Sequence, residues 1–197
     1  MGAFIVVEGI DGTGKTTVCR GASEILRSEG LEVDTTMEPT QGPIGALIRS
    51  DVSGSLSQEA QSLLFVADRI EHTAEIRRRT AEGAVVICDR YYPSTLAYQS
   101  CSLDGEAADG GWLMGLNERF VAEPDAVILL DMDPRGSMRR VESRGEEESR
   151  FEDLAYQVQV RERYLGLAER FGFEVVDASR PRDEVLADVI GIIREFV

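Results

Sequence analysis

A single lysine, Lys15, stands in the chain against 20 arginines, and it falls inside Gly9-Ile10-Asp11-Gly12-Thr13-Gly14-Lys15-Thr16. The segment satisfies G-x-x-x-x-G-K-[ST] at every fixed position, a pattern whose backbone N–H groups wrap phosphates. A compact ammonium suits a bridge between the β- and γ-phosphates of ATP, where a planar guanidinium would not slip in. The Thr16 hydroxyl is the expected Mg²⁺ ligand. Gly9, Ile10, Asp11, Gly12, Thr13, Gly14, Lys15, Thr16 and Thr17 are the candidate ATP site. An ordinary lysine pKa would leave little neutral amine at Lys15 near pH 8.5.

A second cluster follows the apolar run Ala84-Val85-Val86-Ile87-Cys88, which ends in Asp89-Arg90. A carboxylate at a strand tip beside a phosphate loop holds Mg²⁺, usually through water. Asp89 is therefore the second metal candidate, and Arg90 can bridge two phosphate groups. The chain also carries Arg69, Arg139, Arg140, Arg144 and Arg150, with one histidine, His72. An acceptor that is itself a phosphate is already ionised and needs no general base. Catalysis then reduces to positioning and charge neutralisation. Converging arginines without an acid–base dyad fit that chemistry. No Asn-Lys-x-Asp sequence reads a guanine base, and the chain is too short for an oligomeric motor ATPase. Small kinases remain.

Elements must hold these residues together. Apolar runs at 3–8, 32–36, 84–88, 126–130 and 174–177 alternate with helical patterns. That alternation predicts an α/β fold of three layers: a five-stranded parallel sheet with helices on both faces and right-handed crossovers. Ligands in such sheets bind beyond the C-terminal strand ends. Residues 15–28 read as a helix whose N-terminus faces the loop. Ser55-Leu56-Ser57-Gln58 resembles a capping box opening a helix over about 57–81. Residues 104–111 read as a mobile loop, and Trp112 as the start of a helix. Tyr91, Tyr92, Trp112, Phe120, Phe171 and Phe173 read as core or interface. No linker or repeat is visible, so residues 1–197 are expected to form one domain.

Composition narrows the partners. A net charge of −15 repels polyanions, and Arg77-Arg78-Arg79 is too short a basic run for nucleic acid. Cys19, Cys88 and Cys101 lack metal spacing and read as reduced thiols of a cytoplasmic protein. No apolar stretch approaches about 18 residues, and the N-terminus runs directly into a strand, so neither a membrane span nor a signal peptide is expected.

Six segments together resemble the thymidylate kinase family. They are Val7–Thr17; Glu38-Pro39 with Ile48-Arg49; Leu63–Arg69 with His72; Asp89-Arg90-Tyr91-Tyr92-Pro93-Ser94-Thr95-Leu96-Ala97-Tyr98-Gln99; Pro124-Asp125 with Leu130–Pro134, Arg140, Arg144-Gly145 and Arg150-Phe151-Glu152; and Arg161, Tyr164 and Val176–Ala178. The fourth is the most specific. The resemblance implies transfer of the γ-phosphoryl group of Mg-ATP to dTMP, giving dTDP and ADP. It implies that Phe65 stacks on the thymine ring, and that Arg69 reaches the base O4 or lies between base and phosphates. Asp11 would meet the sugar 3′-hydroxyl, Tyr98 would crowd the 2′ position, and Thr95 and Gln99 would flank the base's polar edge. Arg90 would contact the acceptor phosphate, with Ser94 and Glu38 nearby. The resemblance places the arginine that stabilises the transferring group either in the phosphate loop or in a lid. Gly12 occupies the loop position, which directs the role to Arg144 and Arg150 in a short mobile lid at about 139–152. It also implies a homodimer packed through helices. Met37 replaces a common arginine, so a phosphate contact is absent or moved to Arg49. Arg78 replaces a common proline, so the long helix should run on unkinked. A different acceptor (dUMP, UMP/CMP or a deoxynucleoside) and a regulatory ATPase switch are the alternatives, separable by acceptor-dependent turnover.

Overall fold

All six residues of the first strand, β1 (Ala3–Glu8), are buried, as a strand covered on both faces requires. The structure, a computed structural model, describes residues 2–50, 55–102, 107–143 and 154–197. Four further strands follow: β2 (Val33–Met37), β3 (Val85–Asp89), β4 (Ala126–Asp131) and β5 (Glu174–Asp177). They form one parallel sheet in the order β2-β3-β1-β4-β5. The five expected runs are the five strands, with ends shifted by a residue.

The helices are α1 (Lys15–Ser28), α2 (Pro43–Ile48), α3 (Gln58–Ala81), α4 (Tyr92–Gln99), α5 (Gly110–Glu118), α6 (Pro134–Glu142), α7 (Leu154–Phe171) and α8 (Arg182–Ile193). Ser57 caps α3, accepting from the Ala60 amide at 3.3 Å. Helix α3 continues through Arg78, whose guanidinium pairs with Glu75 and Glu82 at 2.6 Å each. The loop expected to reach Gly111 ends sooner. Asp109 accepts from the Trp112 amide at 2.7 Å and starts α5 at Gly110.

Strand pleating sorts the core into two faces. Ala3, Ile5 and Val7 pack with Val18 and Leu26 of α1 and Val189 and Ile193 of α8. Phe4 and Val6 pack on the other side with Ile76 of α3, Leu96 of α4 and Leu113 of α5. Parity then aims the strand tips. Val85 and Ile87 belong to the α1 face, so Asp89 turns toward the start of α1. Glu8 follows Phe4 and Val6 toward α4 and α7. Thr36 and Glu38 share the face that meets α3.

Leu26 is fully enclosed between α1, the sheet and α8. Leu26→Ala should cost about 2–5 kcal/mol of stability. Denaturant unfolding should show a lower midpoint at unchanged slope.

Candidate active site

The loop between β1 and α1 is shaped by glycine. Gly12 has φ 84° and Gly14, the N-cap of α1, has φ 96°, a region other residues rarely occupy. Gly12 faces a second constraint. A Cβ there would stand 2.3 Å from the Ser137 carbonyl oxygen of α6. Inside the loop, Lys15 Nζ donates to the Ile10 carbonyl at 2.8 Å, and Thr13 Oγ1 donates to the same oxygen at 2.9 Å.

Lys15 is 6 % exposed. Burial, reinforced by Arg90 and opposed by Asp11, Asp89 and Glu8, lowers its pKa to about 8. This lies below the expected ordinary lysine value, so more of the amine is neutral near pH 8.5 than an ordinary lysine would leave. A cavity of about 150 Å³ opens above the loop, lined by Asp11, Gly12, Gly14, Lys15, Thr16, Thr17, Asp89 and Arg90. Gly9, Ile10 and Thr13 are buried and do not line it. Thr16 Oγ1 donates to Asp89 Oδ2 at 2.5 Å, so both metal candidates sit together at the cavity.

A second cleft, of about 180 Å³, adjoins the first and contains every substrate-site candidate except Arg49. Its lining comprises Asp11, Glu38, Phe65, Arg69, Arg90, Ser94, Thr95, Tyr98 and Gln99, with Pro39 and Tyr91. Phe65 is half-buried, as a ring that is partly available to a ligand must be. Arg49 is exposed and donates to the Pro39 carbonyl at 2.8 Å; it contributes nothing to the lining. Met37 is exposed as well.

The cavities share Asp11 and Arg90. Arg90 Nη2 donates to Asp11 Oδ1, while Nη1 reaches Ser94 Oγ at 3.2 Å and the Gly9 carbonyl at 3.3 Å. Its guanidinium carbon lies 5.2 Å from the Tyr98 ring centroid. Burial works to raise the Asp11 carboxyl pKa, but Arg90 and Lys15 outweigh it and hold the group below its ordinary value. Arg90 has φ 71°, a conformation costing a residue with a side chain about 1–3 kcal/mol.

The deeper wall is a polar network around Arg69, which is 1 % exposed. Its Nε donates to Glu38 Oε2 at 2.8 Å, Nη1 to Asn117 Oδ1 at 2.6 Å and Nη2 to Thr95 Oγ1 at 3.1 Å. Tyr91 lies beneath, its ring centroid 5.4 Å from the guanidinium carbon. His72 completes the Glu38 carboxylate, with Nδ1 at 3.0 Å, and contacts Thr36 Oγ1 through Nε2 at 2.7 Å. Asp68 accepts from the Thr40 amide and hydroxyl at 2.7 Å each, tying the Glu38-Pro39 loop to α3. Glu38 and Pro39 are joined by a cis peptide.

The expected gathering of arginines is smaller than foreseen among the described residues. Arg69 and Arg90 share the cleft, but Arg139 is exposed on α6 and Arg140 donates to the Ala178 carbonyl at 3.1 Å. Arg144, Arg150 and most of the expected lid lie outside the described residues. Sequence reasoning missed Glu8, Asp68, Asn117 and Tyr164 as supports of the site. Glu8 carried a signal, a carboxylate closing an apolar strand one residue before the glycine loop. Asn117 carried none.

The thymidylate kinase family model matches residues 7–189. A probable thymidylate kinase of Pyrococcus horikoshii is 41 % identical, covering 98 % of this chain and 96 % of the relative. One of Pyrobaculum aerophilum is also 41 % identical, over 99 % and 98 % respectively. One of Thermococcus gammatolerans is 39 % identical, over 100 % and 98 %.

Labelling with an amine-reactive reagent should expose the Lys15 titration. The lowered pKa leaves the amine protonated below pH 8 and neutral above it. The rate of Lys15 modification, read by mass spectrometry, should climb through pH 8 and level off above about pH 9, well below the ordinary lysine value of about 10.4.

Proposed function

The chain belongs to the thymidylate kinase family, and from that premise we propose how its residues divide the transfer of the γ-phosphoryl group of ATP to dTMP. The observation that carries this division is the pair of adjoining cavities that share Asp11 and Arg90. One is a phosphate cradle and the other a cleft with an aromatic wall and polar base-edge partners. A donor in the first and an acceptor in the second would meet at Arg90.

The β- and γ-phosphates take the loop between β1 and α1, with Lys15 leaving the Ile10 carbonyl to bridge them. The acceptor's thymine stacks on Phe65, its polar edge faces Arg69, Thr95 and Gln99, and its sugar meets Asp11 and Tyr98. Glu38 acts by holding Arg69 and His72 in place. Arg90, with Ser94, receives the acceptor phosphate. An oxygen of that phosphate, already ionised, attacks the γ-phosphorus. The bond to the bridging oxygen of ADP breaks, and the phosphoryl group passes across without a proton being removed. Arg144 and Arg150 in the lid neutralise the charge of the transferring group. The contact between Gly12 and Ser137 leaves no room for a side chain at position 12 to do so. Thr16 and Asp89 offer the oxygen donors that Mg²⁺ prefers, and the ion, when bound, would neutralise phosphate charge. Residues 1–197 act as one catalytic domain. Three buried free cysteines suit the reducing cytoplasm, and among the described residues no helix is long and apolar enough to cross a membrane.

Two copies of the chain pack through α3. Leu63 and Ile70 stand one heptad apart on that helix, 50 % and 37 % exposed. Apolar side chains repeated at this interval form one stripe on a helix.

A coupled ADP-release assay tests the acceptor. dTMP should be the best substrate and thymidine should fail, because a neutral nucleoside offers nothing to Arg90, and the Asp11 carboxylate at the junction is already paired with Arg90 rather than placed to ionise a 5′-hydroxyl. Thymidine turnover equal to that of dTMP would sink the reading. Leu63→Glu should convert a sedimenting dimer to a monomer at micromolar concentration, since it would bury a charge in an apolar seam.

A further inference from the structure

One buried carboxylate takes no part in the division of roles above. Glu8 closes β1 and is 0 % exposed. Pleat parity turns it toward α4 and α7, away from the α1 face that receives Asp89. There it meets four donors. Its Oε1 accepts from the backbone amides of Tyr91 at 2.8 Å and Ser94 at 3.2 Å. Its Oε2 accepts from Ser94 Oγ at 2.7 Å and Tyr164 OH at 2.8 Å. A carboxylate is the only side chain that can accept on both oxygens at once.

These donors surround Arg90. The Arg90 amide is held by the Val7 carbonyl at 3.0 Å, and the next amide, that of Tyr91, is held by Glu8. The unfavourable φ of Arg90 therefore lies between two fixed hydrogen bonds, which a strained residue at a functional turn requires. Ser94 is the second link. Its hydroxyl hydrogen is directed to Glu8, and its oxygen accepts from Arg90 Nη1 at 3.2 Å beside the Tyr164 hydroxyl at 2.8 Å. Burial raises the Glu8 carboxyl pKa, and Arg90 and the hydrogen bonds from Ser94, Tyr164 and Tyr91 act against burial in favour of the charged form.

We propose that Glu8 is a positioning residue for the acceptor phosphate. Its carboxylate clamps the turn from Arg90 to Ser94 and directs the Arg90 guanidinium to the junction of the two cavities. The inference rests on the reading of Arg90 as the acceptor-phosphate ligand. Tyr164 extends the clamp to α7, so the helix that follows the lid segment is tied to the same carboxylate.

The test uses Glu8→Gln, which keeps the size of the side chain but puts an NH₂ donor where an acceptor oxygen stood. Calorimetric titration with dTMP should show affinity reduced tenfold or more. Affinities for thymidine and for ATP should change less than twofold, and the melting temperature serves as the folding control. Arg90→Ala should lose dTMP affinity in the same selective way, and the double variant should be no worse than Arg90→Ala alone. Equal losses for dTMP and thymidine in Glu8→Gln would mark a general packing role and overturn the inference, as would additive losses in the double variant. Selective loss in Arg90→Ala with none in Glu8→Gln would overturn the inference alone. No selective loss in Arg90→Ala would overturn the reading of Arg90, and the inference with it. Should Glu8→Gln fail to fold, Tyr164→Phe removes one donor and keeps the ring. It should weaken dTMP about threefold without affecting thymidine, and unchanged dTMP affinity there would count against the clamp.

Discussion

The ion pair between Arg90 and Asp11 is where the rest of the site converges. It joins the end of β3 to the loop that follows β1, two neighbouring strands whose register sets Val7 opposite Asp89. Parallel pairing delivers both strand ends to one edge of the sheet, and the residues that pair just beyond them, Asp11 and Arg90, carry opposite charge. A chain of net charge −15 has no long-range attraction for phosphates. Local field must do that work, and it comes from guanidinium and ammonium groups held in place before a ligand arrives. Arg90 is fixed by its backbone, by Asp11 and by Ser94, so little ordering remains to be done on binding.

The same logic governs the deeper wall. A buried guanidinium is costly to desolvate unless its hydrogens are satisfied, and removing one partner leaves an uncompensated charge. Arg69 meets that demand through Glu38, Asn117 and Thr95, which come from the loop after β2, from α5 and from α4. One side chain thereby braces three segments against α3. Asp68, one residue earlier in the chain, fastens the Glu38-Pro39 loop from the same helix. The cleft is thus built on packed elements with few degrees of freedom.

Much of this was legible in the sequence because periodicity and motif spacing are local. The strands announced themselves as short apolar runs between helical patterns. The glycine loop and the segment from Asp89 to Gln99 sit at strand ends that any parallel sheet gathers together. The supports were harder to see. Asn117 becomes a partner of Arg69 only once α5 is folded against α3, which no local pattern records. Tyr164 reaches Glu8 across a sequence separation of 156 residues. Composition does not record how arginines are used: Arg140 donates to one backbone carbonyl and Arg49 to another. The Lys15 environment was also misjudged: spacing identifies a lysine as a phosphate partner but not how thoroughly the loop encloses it.

The close approach of Gly12 to Ser137 has an evolutionary consequence. Position 12 is held to glycine by its backbone angle and by the neighbouring helix at once. A lineage that acquired a side chain there would have to move α6 in the same event or earlier. Charge can drift along an exposed helix one substitution at a time, but not into this loop. A side chain at position 12 and the present seat of α6 therefore exclude one another.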